Sequence, residues 1–300
     1  MNKFKQAFLV AGYNFRQWRK NPRIVIGFVL AFILCFLLSN KVVLFSHRYG
    51  TTIQLLEPFI WTFGDSDSIL LASLLLVFLF SDMPFLSSGT PFYLMRTSRW
   101  VWLAGQAVYI VGTTALYLLF VMASTAVVCM ENAFPGNLWS PTAAMLGFSD
   151  AGKAIAVPAA RKAMEMVTPY ECAAAILLLM LLYSLLTAFL MLLLRLWKGQ
   201  LAGTAGVFLF SLFGFLLSPG TIKTMLNLSE QEGYVANIIV GWVSPLNHAT
   251  FHMHNFGYDN LPGMGHTMVI FLVLIGLCFG VSLRLVRSYS FLFTGTEGNT

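Results

Sequence analysis

Residues 171–194 read ECAAAILLLMLLYSLLTAFLMLLL, and from Cys172 to Leu194 no side chain carries a charge. A helix needs roughly 20 apolar residues to cross a hydrocarbon core, so this run is predicted to span a bilayer. Comparable runs fall at 24–45, 68–86, 101–129, 201–217 and 267–285. The composition agrees: 58% of residues are apolar and only 10% charged, too few charges to clothe a soluble domain. The expected fold is an all-α integral membrane protein with six transmembrane helices, the fifth short, forming a single membrane domain over residues 1–300. A chain of this length leaves no room for an additional soluble ATPase or receptor domain. The run from Ile24 to Phe45 follows a basic segment as a signal peptide would, but it is long and no small-residue cleavage pattern follows, so it reads as a retained helix.

Lys and Arg close to spans resist translocation, and their placement orients the chain. With both termini in the cytoplasm, that side holds Lys3, Lys5, Arg16, Arg19, Lys20, Arg23, Arg96, Arg99, Arg195, Lys198, Arg284 and Arg287. The outer side holds Lys41, Arg48, Lys153, Arg161, Lys162 and Lys223, together with Glu57, Asp65, Asp67, Glu230 and Glu232. The net charge of +6 then belongs to the cytoplasmic face, where anionic lipid accounts for it without nucleic acid.

Ahead of the first span, Phe4, Phe8, Ala11, Phe15 and Trp18 recur at three- and four-residue steps among Lys5, Gln6, Asn14, Arg16 and Arg19. This pattern predicts an amphipathic interfacial helix within residues 1–22, closed by Asn21-Pro22. Between spans two and three, Thr90-Pro91 has the form of an N-cap followed by proline at the first helical position. The short helix it starts would carry Phe92, Tyr93, Arg96 and Arg99. These residue types dominate binding hot spots, and they also gather at any membrane boundary. Pro135, Gly136, Pro141, Pro158 and Pro169 predict an irregular outer loop over about 131–169, with a short helix near 159–166. Before the last span, Val235, Ile238, Ile239 and Trp242 mark a helix ended by Pro245; too short to cross, it is placed in the outer leaflet.

Several patterns bear on chemistry. Gly147, Gly152 and Lys153 match a phosphate-binding loop, but Ala154 occupies the position of the magnesium-binding hydroxyl and no strand precedes them. His248, His252 and His254 follow Pro245, and the step from His248 to His252 would place two imidazoles on one helical face, as a metal site requires. No H-E-x-x-H pattern accompanies them. Cys35, Cys129, Cys172 and Cys278 lack C-x-x-C spacing and read as small core residues; Cys129 and Cys172 fall near the outer surface, where a bridge between them stays open. Gly199 with Gly203 and Gly276 with Gly280 permit close helix packing, within the chain or between protomers. Ionisable residues are almost absent inside the spans, which argues against a proton-coupled carrier; Asp82 falls at a boundary.

The N-terminal amphipathic helix, six spans, short helix between spans two and three, and broken segment before span six together resemble the permease of bacterial type II (ABC-2 type) ATP-binding-cassette exporters. The sequences Phe80-Ser81-Asp82-Met83-Pro84-Phe85, Arg96-Thr97-Ser98-Arg99 and Ser244-Pro245-Leu246-Asn247-His248 look like bacterial members. The resemblance covers nearly the whole chain and implies a transport subunit of the bacterial cell membrane with no catalytic site or cofactor of its own. Two permeases, identical or related, would assemble with two separate ATPase subunits carrying ATP and magnesium. It implies that Phe4, Phe8, Phe15 and Trp18 belong to a connecting helix and Phe92, Tyr93, Arg96 and Arg99 to a coupling loop at 87–100. It also implies that spans two and five line the pathway, here with Phe78, Phe80, Phe208, Phe210 and Phe213, walls suited to amphipathic cargo. Two other classes are weighed against it: an ATP-independent carrier or channel, and a membrane metalloenzyme using His248, His252 and His254.

Overall fold

A computed structural model describes residues 2–84, 97–149, 152, 155, 157, 161–229, 232–257 and 259–289. In chain order the elements are α1 (Lys3–Gln17), α2 (Pro22–Tyr49), β1 (Ile53–Gln54), α3 (Glu57–Phe63), α4 (Ser66–Leu79), α5 (Arg99–Val128), β2 (Ala133–Phe134), α6 (Pro141–Phe148), α7 (Arg161–Met166), α8 (Pro169–Lys198), α9 (Gln200–Leu216), α10 (Pro219–Met225), α11 (Gly233–Val243), α12 (Pro245–Ala249) and α13 (Met264–Ser288). Helices α2, α5, α8 and α13 are long and apolar enough to cross a bilayer. The pairs α3–α4 and α9–α10 are bent by 91° and 78°, and raise the number to six if each pair counts as one span. The protein is a helical membrane protein, as a medium without water demands of its backbone.

The helix starts share one chemistry. Asn21, Ser98, Ser140, Ser218 and Ser244 each accept, through the side-chain oxygen, a backbone N–H from the first turn of the helix that follows. Pro22, Pro141, Pro219 and Pro245 stand just inside, where the missing N–H costs nothing. Pro245 therefore opens α12 as well as closing α11. Left-handed Gly50 (φ 62°) ends α2 by donating to His47 O, and Gly199 (φ 88°) joins α8 to α9 without a longer loop.

Helix α8 is the axis of the bundle. Two thirds of its most apolar window (67%) is buried, against 17% for α13, and α8 touches α3, α4, α5, α9, α12 and α13. Helix α1 lies across α5 and buries Ala7, Val10, Ala11 and Asn14. The seat is Gly105, where a Cβ would stand 2.6 Å from Val10 Cβ. Asn14 Nδ2 donates to Gln106 Oε1 at 3.0 Å beside it. The stripe packed on α5 is thus Ala7, Val10, Ala11 and Asn14: Phe15 and Trp18 also rest on α5, while Phe4 and Phe8 stay 76% and 63% exposed.

At the end of the bundle opposite Arg195, β1 pairs in parallel with β2 and the chain folds into a cap around Glu57. Helix α3, seven residues long, turns away from α4 at Gly64 and precedes the apolar run at 68–86. The fully buried Glu57 carboxyl accepts the N–H of Ser140 at 2.7 Å, the N–H of Gln54 at 3.3 Å and the Ser140 hydroxyl. It therefore ties α3 to the start of α6. Burial outweighs these three donors and pushes the Glu57 pKa up to about 7. The raised value favours the protonated side chain in the fold, so this stabilisation is complete below the unfolded carboxylate range and is lost as pH rises through about 7. In detergent, the apparent thermal midpoint should fall between pH 6 and pH 8. Glu57→Gln should flatten that fall and match or exceed wild type at pH 8, whereas Glu57→Ala should destabilise at both by about 1–3 kcal/mol through stranded buried donors.

Candidate functional site

The other end of the bundle is organised by a buried cation. Arg195, on the last turn of α8, is 2% exposed. Its guanidinium donates to Phe80 O at 3.0 Å, to Met83 O, and to Thr204 Oγ1 on α9 at 3.1 Å. Phe80 to Met83 is the turn that follows α4; Phe80 O also accepts the N–H of Met83, and the guanidinium adds a planar fork of donors that ties both carbonyls to α8. Room for that side chain comes from Gly203, where a Cβ would stand 2.1 Å from Arg195 Cγ. Gly203 therefore serves contact within the chain, while a Cβ at Gly199, Gly276 or Gly280 would meet open space.

The same turn is tied to the N-terminal segment. Arg23 pairs with Asp82 and donates to Ser81 Oγ at 2.9 Å; Asn21 Nδ2 reaches Asp82 Oδ2 at 3.1 Å, and Gln200 Nε2 reaches Ser81 O at 3.1 Å. Asp82, predicted at a boundary, is here the carboxylate that joins α2 to the turn. Trp18 Nε1 donates to Tyr109 OH at 2.9 Å, and the Tyr109 ring meets Phe15 at 4.9 Å and Phe80 at 6.2 Å. Residues 80–84 are thereby gripped from α1, α2, α5, α8 and α9.

Of the predicted coupling residues, Phe92, Tyr93 and Arg96 lie outside the described residues, as does the Thr90-Pro91 helix start. Arg99 is the first residue of α5 and donates to the carbonyls of Val286 (3.3 Å) and Arg287 at the end of α13. Arg287 in turn lies over the Trp100 ring, 4.6 Å from its centroid. Both flanks of the 85–96 segment are thus anchored: the leading flank by Arg195, the trailing flank by Arg99.

The pathway phenylalanines separate. Phe78, Phe208 and Phe213 are 37%, 55% and 49% exposed, and Phe210 stacks on Tyr183 at 6.5 Å. Phe80 is fully buried, set into the core in the turn that follows the end of α4 at Leu79. The second apolar run accordingly ends earlier as a helix than the predicted 68–86.

The histidines also separate. Helix α12 ends at Ala249, so His248 and His252 do not share a helical face. His252 is directed to Gly64, and burial pushes its pKa down to about 4. His248 and His254 meet instead at Thr267 Oγ1, 2.9 and 3.0 Å away. Among the described residues no three His, Cys, Asp or Glu side chains gather as a metal site. Gly147 lies inside α6 rather than in a phosphate loop, and Lys153 and Ala154 are outside the described residues. Cys129 and Cys172 are both buried free thiols. A cavity of about 140 Å³ at the α3–α4 bend is lined by Lys41, Trp61, Thr62, Asp65 and Asp67, below the size that holds a drug-sized ligand.

The importance of Arg195, Gly203 and Tyr109 escapes sequence reading because their partners lie far along the chain. A single signal was present: an arginine directly at the end of an uncharged apolar run, eight residues before a glycine. Arg195→Met should cost roughly 2–4 kcal/mol of stability, measured by thermal unfolding in detergent, because it removes a buried donor fork shared by Met83 O, Phe80 O and Thr204. Arg195→Lys should recover only part of it, since an ammonium lacks the planar fork. No family model, curated protein or solved structure matches the chain.

Proposed function

We propose that this chain is the membrane permease subunit of an ATP-driven exporter of the type II ATP-binding-cassette class, acting with separate ATPase subunits and a second permease. The observation that carries the reading is the double anchoring of the 85–96 segment. A displacement of that segment would be delivered on one side through Phe80, Met83 and Arg195 to α8 and α9. On the other side it would be delivered through Arg99 to the end of α13. Such an arrangement suits a loop pushed by a partner, because the push reaches the bundle axis and its periphery together. Allosteric drive then consists of the ATPase pair binding one arrangement of the bundle better than the other.

The remaining parts follow from that reading. Both termini and the Arg195 end face the bacterial cytoplasm, where α1 serves as the connecting helix. ATP and magnesium reside on the partner, and this chain carries neither a catalytic site nor a cofactor. The exposed faces of α4 and α9, with Phe78, Phe208 and Phe213, form an apolar wall between two permeases and suit amphipathic cargo.

Purification of the tagged chain from its native cells in mild detergent should retain a nucleotide-binding partner in near-equal amount. Reproducible absence of one, with the chain monodisperse and transporting alone in liposomes, would overturn the reading in favour of an autonomous carrier. In the reconstituted complex, Arg96→Ala should leave ATP hydrolysis running while transport falls several-fold. Arg99→Ala should do the same and in addition lower the thermal midpoint, because Arg99 also caps α13.

A further inference from the structure

The unit His248–Thr267–His254 is almost wholly buried, at 3%, 0% and 1% exposure. His248 Nε2 lies 3.1 Å from Trp242 O. His254 Nδ1 lies 3.0 Å from Thr250 O and 3.1 Å from Phe251 O. A carbonyl oxygen only accepts, so each of these ring nitrogens carries its hydrogen. In a neutral imidazole the other nitrogen is then a bare lone pair. Those two lone pairs, His248 Nδ1 and His254 Nε2, both face Thr267 Oγ1, at 2.9 and 3.0 Å.

A threonine hydroxyl has one hydrogen, so it satisfies only one of them. With both histidines neutral, one ring nitrogen meets an oxygen lone pair with no proton between. One added proton completes the set: the imidazolium N–H donates to Thr267 Oγ1, and the Thr267 O–H donates to the other ring. A second added proton breaks it again, because the hydroxyl hydrogen loses its acceptor and two cations share one buried hydroxyl.

The geometry points to a binding site for a single proton, held jointly by His248 and His254 through Thr267, which latches the segment 248–254 to the first turn of α13. The site is distinct from the Arg195 junction and does not depend on the exporter reading.

The ionisable groups around it are few. His252 acts on neither ring as a proton donor and faces Gly64. His266, beside Thr267, meets the edge of Trp242 at 6.0 Å. Tyr183 of α8 reaches the cluster only through Phe271, which lies 6.1 Å from the His248 ring. Helix α9 contributes no charged residue, and the charged ends of α8 and α13 are remote in sequence from this layer. Helix α4, which packs against α12, brings Asp65 and Asp67 at its start, but the charge that bears on the pair is a histidine's, His248 acting on His254. Burial opposes charge at both rings and holds them below the ordinary histidine range, so the shared proton is taken up on acidification.

The test is nitrogen NMR of the full chain, 15N-labelled at histidine, in lipid nanodiscs, with assignments from His248→Gln and His254→Gln. At pH 7 His248 should show the Nε2–H form and His254 the Nδ1–H form. On acidification the two signals should move together and sum to one proton, the second proton entering at least tenfold less readily. Thr267→Val should uncouple them into separate titrations, and Thr267→Ser should restore the joint one. The opposite tautomer on either ring in the wild-type chain, or two full protons taken up independently at one midpoint, would overturn the assignment. The wild-type readout decides the matter even if a variant fails to fold.

Discussion

At several breaks between the described helices, a buried side chain hydrogen-bonds the backbone groups of the break. That constraint follows from a medium offering no water to an orphaned N–H or C=O. Arg195 serves the carbonyls of Phe80 and Met83, where α4 gives out. Glu57 serves the N–H groups of Gln54 and Ser140, where two short strands and α6 form the cap. His248 and His254 serve Trp242, Thr250 and Phe251, where α11 and α12 break. Trp139 Nε1 does the same for Val167 O ahead of α8. In a soluble protein such groups would be left to solvent; here each of these breaks has its own partner.

This constraint explains what was legible in the sequence. The long apolar helices follow from local composition, and several helix starts from a capping asparagine, serine or threonine, so both can be read without knowing any neighbour. The partners of the breaks are non-local. Arg195 reads as one more basic residue at a membrane boundary, and only the fold brings it to Phe80, 115 positions away. Glu57 reads as an external acid, yet it is the centre of a cap whose other half begins 83 residues later. The contact of α1 with α5 is non-local in the same way: a glycine on α5 lets Ala7, Val10 and Ala11 come closest, and nothing near those residues in sequence announces it.

The breaks also decide where the molecule can give. Helix α8 is surrounded on most sides, and a shift along it would disturb the core throughout. Helices α9 and α13 are held at their ends by specific polar contacts and leave long apolar faces uncovered. A polar contact has two clear states, made or broken, whereas a packed apolar face slides by degrees. Motion driven through residues 80–99 would therefore be expressed as exchange of hydrogen bonds at Arg195 and Arg99 before any repacking of the axis.

Helix α13 connects the two ends of the molecule. Its last carbonyls are held by Arg99, and Thr267 in its first turn is held between two histidines. At 25 residues it is about 37 Å long and carries no proline, so it moves as a rod rather than bending. A rod fixed at both ends passes a change at one to the other, and its lightly buried middle offers little resistance. A proton gained at the Thr267 end and a displacement at the Arg99 end thus act on one rigid element. By linkage, if the proton favours one position of that rod, occupying that position at the far end must raise the affinity for the proton by the same factor.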